Sequence, residues 1–305
     1  MRTRPAVQQQ TMAGGFTYGG ACDSAAPASR PVSMKQGAWV AATLGFMMVM
    51  MHHVAQAIVV RHDKDAQAFL DLGQKFPSTV SLRRADNKDG GGEGTLIAPT
   101  WVLTAAHVAN ELRSGDLVEV NHRVRKILRV VLYPQWHQDA DMPVDIALVQ
   151  LLDPVTDVAP AHIYTGSDEA GMVVTFVGRG ATGTGLTGQQ FEDRRLRAAT
   201  NRVESTLDVF PMTVARGQYP AEGFQLRFRF DAPGDPNVTD LEGISGEGDS
   251  GGPAYVTRDG VLYVVGVSSG QDSRPTDHKQ GRYGVFEFYV RVSHFADWIR
   301  SSTSN

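Results

Sequence analysis

From Thr79 onward the chain is built from short apolar or alternating runs broken by glycine-containing polar stretches, with almost no segment at helical spacing. Examples are Thr79 to Leu82, Trp101 to Thr104, Val124 to Leu132, Ile146 to Leu151, Met172 to Val177, Phe224 to Phe230, Val261 to Val267 and Gly284 to Val292. Runs of this length with period two or continuous apolar character read as strands. Strands that follow one another without intervening helices exclude a parallel α/β sheet and leave an all-β barrel or sandwich. Helical spacing occurs only at the two ends of this region. Residues 63 to 73 predict a short helix capped by Asp63 or Asp65 and ended by Gly73, and Ser293 to Ile299 predict a C-terminal helix capped by Ser293. Two all-β halves, roughly 58–160 and 161–292, are expected, joined near residues 153–170.

The single cysteine, Cys22, cannot form an internal disulfide and lies upstream of the hydrophobic segment described next, so the folded part is thiol-free, which excludes a cysteine nucleophile and a cysteine-ligated metal. Upstream of the strands, Lys35, an apolar run from Ala38 to Met51 and Ala55-Gln56-Ala57 match a charged region, a short hydrophobic region and a small-residue cleavage site. That pattern predicts residues 1–57 to be an N-terminal extension and secretory signal, with translation starting either at Met1 or at Met34. The apolar run is short of the ~20 residues of a membrane-spanning helix, so no stable span is expected after cleavage. Cleavage after Ala57 would expose Ile58-Val59-Val60 and leave 25 basic and 32 acidic side chains, a charge of −7. A secreted or periplasmic protein is the expectation. The formal charge of −4 for the whole chain, with no run of Lys or Arg, speaks against nucleic acid as a partner.

Three segments carry the parts of a nucleophilic hydrolase. A serine hydroxyl attacks only when a base removes its proton and an acid orients that base. Gly248-Asp249-Ser250-Gly251-Gly252-Pro253 places a serine in a turn whose glycines let the N–H groups of Gly248 and Ser250 converge as an oxyanion hole. Trp101-Val102-Leu103-Thr104-Ala105-Ala106-His107 ends a buried strand on a candidate base, His107. Asp145-Ile146-Ala147-Leu148 opens another strand on a carboxylate, Asp145, that needs a hydrogen-bonding partner. Each segment alone has a structural reading as an ordinary strand end or turn; together, in the order His, Asp, Ser, they are far more specific.

The blocks GDSGGP, WVLTAAH and DIAL resemble the signature segments of trypsin/chymotrypsin-like serine proteases, in a disulfide-free, bacterial-type branch. The resemblance extends through FPSTVSLR, Pro134 and Trp136, VGVSSG and YVRVSHFADWI, and so over most of residues 58–299. It implies two six-stranded antiparallel β-barrels with a short C-terminal helix, a serine endopeptidase working through His107, Asp145 and Ser250, polypeptide substrates, possible protein inhibitors, and no cofactor or metal. It further implies that a new N-terminus at Ile58 pairs with Asp249, that Ile244 lies at the floor of the primary specificity pocket with Gly270 leaving its entrance open, and that Ser268 to Gly270 supply the edge backbone that pairs with an extended substrate. Val108 and Gly246 stand where family members commonly carry cysteines. An apolar preference follows from Ile244, unless Glu287 enters the pocket and restores a basic one. The alternative to an enzyme is a catalytically silent homologue that binds partners.

Two further motifs are weaker. Gly178-Arg179-Gly180-Ala181-Thr182-Gly183 matches a dinucleotide-binding pattern but is followed by nothing that could open a helix, so it reads as a turn. His52, His53, His62 and Asp63 form a loose cluster that a cleavage after Ala57 would divide, and no metal site is expected. A Ser-acid-His order, required of an α/β-hydrolase, is not present.

Overall fold

A computed structural model describes residues 58–86, 91–136, 144–207 and 223–304. The predicted signal segment and the histidines at 52 and 53 lie outside these residues. The chain divides into residues 1–51 and 52–305, and all described structure belongs to the second unit.

After β1 (Ile58–Val60) and helix α1 (Ala66–Gly73), six strands close into an antiparallel barrel. They are β2 (Thr79–Arg83), β3 (Gly91–Ala98), β4 (Trp101–Thr104), β5 (Leu117–Val120), β6 (Arg123–Leu132) and β7 (Ala147–Leu151), ordered β2-β3-β4-β7-β6-β5 around the ring. A one-turn helix, α2 (Ala106–Ala109), follows β4. Val80, Leu82, Leu96, Leu103, Val118 and Leu148 fill the barrel and are at most 1% exposed. Closure leaves no unpaired edge and makes this half self-supporting.

The second half contains β8 (His162–Ile163), β9 (Val173–Gly178), β10 (Ala181–Thr184), β11 (Gly188–Glu192), β12 (Arg197–Arg202), β13 (Ser205–Leu207), β14 (Gln225–Arg229), β15 (Gly243–Ile244), β16 (Pro253–Arg258), β17 (Val261–Asp272) and β18 (Phe286–Arg291). They form one sheet in the order β12-β9-β16-β17-β18-β14-β13, with β8 beside β17, and a separate sheet β11-β10-β1-β15. The expected second six-stranded barrel is therefore corrected: this half is an open, curled sheet beside a four-stranded one. Its physical cause lies at β12, which meets the segment leading into β15 through one bridge among the described residues, Thr200–Glu242. The Asn201 amide then donates to the carbonyls of Arg229 and Gly243, at 3.1 and 2.9 Å, so a side chain joins three strand ends where a backbone ladder would have closed the ring.

The two predicted helices form, with altered ends. Asp65 is the cap of α1, accepting from the Gln67 N–H at 2.9 Å. Gly73 does not stop the helix through a left-handed turn; a side chain there would run into the Leu196 carbonyl and the Arg197 backbone. At the other end, Ser293 donates to Glu169 instead of capping, and a 3-10 turn precedes α3 (Ala296–Thr303). No helix among the described residues is long and apolar enough to cross a membrane.

In the second half Phe176 stacks on Tyr289 at 4.6 Å and meets Phe228 edge-on at 4.8 Å, all three rings buried. Without a disulfide, such packing carries the stability. Phe176→Ala should lower the unfolding free energy by about 3–5 kcal/mol in urea denaturation followed by circular dichroism.

Candidate active site

The ladder between β4 and β7 sets Thr104 opposite Ala147. His107 lies three residues beyond the first and Asp145 two residues before the second, so the pairing brings the candidate base and the candidate acid to one end of the barrel. Ala105 and Ala106 are fully buried, and their small side chains let α2 sit close against β6 and β7. Asp145 accepts from the His107 backbone N–H at 2.8 Å and from its ring Nδ1 at 2.7 Å. The acid is 6% exposed and the imidazole 42% exposed, so the ring reaches out from a buried partner toward solvent. Burial pulls His107 toward the neutral form, but the hydrogen bond and charge of Asp145 outweigh it and raise its pKa. An Nδ1–H donating to Asp145 leaves Nε2 free to accept a proton.

A third donor to Asp145 went unseen in the sequence. The Ser269 hydroxyl donates to Oδ2 at 2.7 Å. The β17–β18 register shifts between Ser268 and Gly270, and such a bulge takes Ser269 out of the ladder. No periodicity argument could have located that irregularity.

Ser250 sits in the turn between β15 and β16, where Gly248 and Gly251 have φ of +94° and +79°, values that favour glycine. Ser250 and Gly248 line the same cleft as His107, a space of about 1010 Å³ that also includes Glu93, Arg179 and Glu192. Neither the Gly248 N–H nor the Ser250 N–H is taken by another described residue. The turn itself is fixed from several sides. The Glu93 N–H donates to the Ser250 carbonyl at 2.8 Å, Gly251 N–H to the Ser268 carbonyl at 2.9 Å, and Ser268 N–H to the Gly252 carbonyl at 2.8 Å.

Asp249 is buried and accepts from the Gly180 N–H at 2.6 Å and the Gly246 N–H at 2.7 Å. Burial raises its carboxyl to about 6, opposed by these N–H groups and by the charge of Arg179. The glycine-rich turn 178–183 is thus a carboxylate cradle: a side chain at Gly178 or Gly180 would collide with Asp249. Thr182, two residues beyond Gly180, is in parallel register with Ile58, and its hydroxyl donates to the Ile58 carbonyl at 2.8 Å.

The residues expected to shape the primary pocket are distributed unevenly. Ile244 is fully buried in a cluster with Val59, Phe230 and Val285, facing the core between β1 and the 283–285 segment. Glu287 is fully buried, accepting from the Ser245 N–H at 3.0 Å and from the Ser245 hydroxyl. Burial pushes its pKa well above the usual carboxylate range. The Gln271 amide caps the Ser245 carbonyl at 2.6 Å, and a side chain at Gly270 would point into open space. Of the loose cluster near the N-terminus, His62 instead contacts the Tyr283 hydroxyl, and no group of potential metal ligands exists among the described residues.

The profile of the Trypsin family matches residues 71–214 and 239–299. Complement C1s subcomponent of Rattus norvegicus is 31% identical over 232 residues, 68% of this chain but 31% of the relative. Ovochymase of Halocynthia roretzi is 25% identical over 249 residues, 75% of this chain and 14% of the relative. These two relatives are thus far longer than the stretch they share with the chain. Chymotrypsin-like elastase family member 1 of Homo sapiens is 26% identical over 248 residues, 74% of this chain and 87% of the relative.

Asp145 controls the ring in a measurable way. Asp145→Asn removes the charge that raises His107, so the His107 titration midpoint followed by NMR should fall below that of the parent protein. The matched segments cover the barrel, the Asp145 strand and the Ser250 turn, and this chain belongs to the Trypsin family.

Proposed function

We propose that the chain is a disulfide-free serine endopeptidase, exported by its N-terminal segment, in which Ser250 is the nucleophile, His107 the general base and Asp145 the orienting acid. The observation that carries this reading is the His107–Asp145 hydrogen bond at 2.7 Å, on a cleft shared with Ser250 and with two N–H donors that no described residue uses. His107 Nε2 takes the Ser250 proton as the hydroxyl oxygen attacks the substrate carbonyl. The imidazolium that forms is stabilised by Asp145, while the Gly248 and Ser250 N–H groups bind the oxyanion. His107 then protonates the leaving amine, the acyl-enzyme forms, and water activated by the same ring releases the acid product. Gly270, open above its Cα, supplies the edge that pairs with an extended substrate. Ser268 is spent on holding the turn.

Activation fits cleavage before Ile58. A carboxylate has about four acceptor positions, and the backbone N–H groups of Gly180, Gly246 and Arg179 on Asp249 leave room for an ammonium arriving along β1. The mature protein purified from its producing cells should begin at Ile58 by N-terminal sequencing and be labelled by a serine-directed fluorophosphonate. Ser250→Ala should abolish labelling and lower peptide cleavage by several orders of magnitude. A well-folded mature protein that resists labelling would point to the silent homologue.

Glu287, rather than Ile244, sets the preference of the primary pocket. Ile244 is committed to the core, whereas Glu287 is a buried carboxyl that accepts hydrogen bonds from the neutral residues Ser245 and Gln271. A buried carboxylate without a countercharge is costly, and a cationic side chain entering past Gly270 supplies one. Peptides with Arg or Lys before the scissile bond should be preferred over those with Leu. Glu287→Gln should cost the basic peptides about 100-fold or more in kcat/KM and change the Leu peptide by about threefold or less.

A further inference from the structure

Beneath the Ser250 turn lies an ion pair that none of this chemistry uses. Glu93 of β3 and Arg179, between β9 and β10, meet at 2.8 Å, with side chains 3% and 15% exposed. Removing two charges from water costs several kcal/mol per ion, and well-packed apolar residues often serve a core equally well. Stability alone is therefore a poor reason for a pair at this place.

Its neighbours suggest another. The Glu93 backbone donates to the Ser250 carbonyl, and its own carbonyl accepts from the Thr104 hydroxyl at 2.8 Å, three residues before His107. Glu93 thus joins the strand that leads to the base to the turn that carries the nucleophile. Arg179 precedes Gly180, whose N–H grips Asp249, the residue before Ser250. A side chain at Gly248 would approach the Gly180 Cα at 3.2 Å, so the Arg179 turn also backs the proposed oxyanion donor. The pair thus touches the nucleophile turn at two points, Glu93 at the Ser250 carbonyl and the residue after Arg179 at the Asp249 carboxylate.

Resting on the endopeptidase reading, we propose that Glu93 and Arg179 are positioning residues, whose ion pair sets the distance between the His107 strand and the Ser250 turn and keeps the Gly248 donor in place. Arg179 also lies between two carboxylates, Glu93 and Asp249. Its charge lowers the pKa of both, while their mutual repulsion and the more distant Glu119 raise Glu93, which burial drives to about 8. With its carboxyl at about 8, Glu93 is fully ionised and the pair fully formed only above that pH, so the pair is tested on the alkaline side of it.

The test is a double-mutant cycle on the mature enzyme with Glu93→Gln, Arg179→Met and the combined variant, reading kcat, KM and melting temperature. Misplacement of a reacting group by about 1 Å costs about 100-fold. Each single substitution should therefore lower kcat by about 10- to 100-fold with KM within about threefold. The combined variant should lose no more than the worse single, because both act through one contact. Unchanged kcat in Glu93→Gln, whatever its melting temperature, or losses that multiply in the combined variant, would overturn the proposal. Glu93→Gln keeps size and hydrogen-bonding capacity and decides the matter alone if Arg179→Met does not fold. Ser250→Ala, assayed alongside, separates this failure from that of the parent reading: full cleavage by that variant removes the nucleophile itself.

Discussion

The Asp249 carboxylate is the constraint around which the functional end of the molecule is organised. Buried charge is tolerable only when its acceptor positions are met, and here the donors are backbone N–H groups of Gly180 and Gly246. To reach them the chain must bend tightly around Gly248 and approach the 178–180 turn so closely that side chains at Gly178 and Gly180 are forbidden. The positions of Ser250 and of the Gly248 N–H follow from that bend. A single buried acid thereby converts a flexible glycine-rich segment into a defined turn.

The two halves share the work differently. The closed barrel presents His107 and Asp145 from strands whose register is locked by a complete ring of hydrogen bonds. The second half stays open, tied at the β12 edge by one bridge and by the Asn201 side chain. Its Ser250 turn consequently depends on contacts from outside its own sheet, among them the Glu93 N–H from the barrel. With no cysteine after Cys22, polar ties of this kind and aromatic packing such as Phe176 on Tyr289 take the place of cross-links.

Much of this was legible in the sequence. The all-β class, the helix at 66–73, and the segments bearing His107, Asp145 and Ser250 follow from local pattern, because strand periodicity, caps and glycine-bounded turns are short-range properties. The strands β10 to β13 were not legible: Ala181–Thr184 and Arg197–Arg202 lack alternating apolar residues, and their pairing is fixed by partners far away in the chain. The same limit explains Ser269, whose role comes from a bulge, and Ile244, whose side chain faces a core assembled from Val59, Phe230 and Val285.

By itself the sequence marked the candidate reacting groups and their order, since residue types fit for a nucleophile, a base and an orienting acid are recognisable with their immediate neighbours. Only the tertiary structure decided what surrounds them: Glu287 buried against Ser245, Arg179 set between Glu93 and Asp249, and a second half that does not close. Burial and charge proximity arise between residues tens to hundreds of positions apart, and no local pattern encodes how far a carboxylate lies from water.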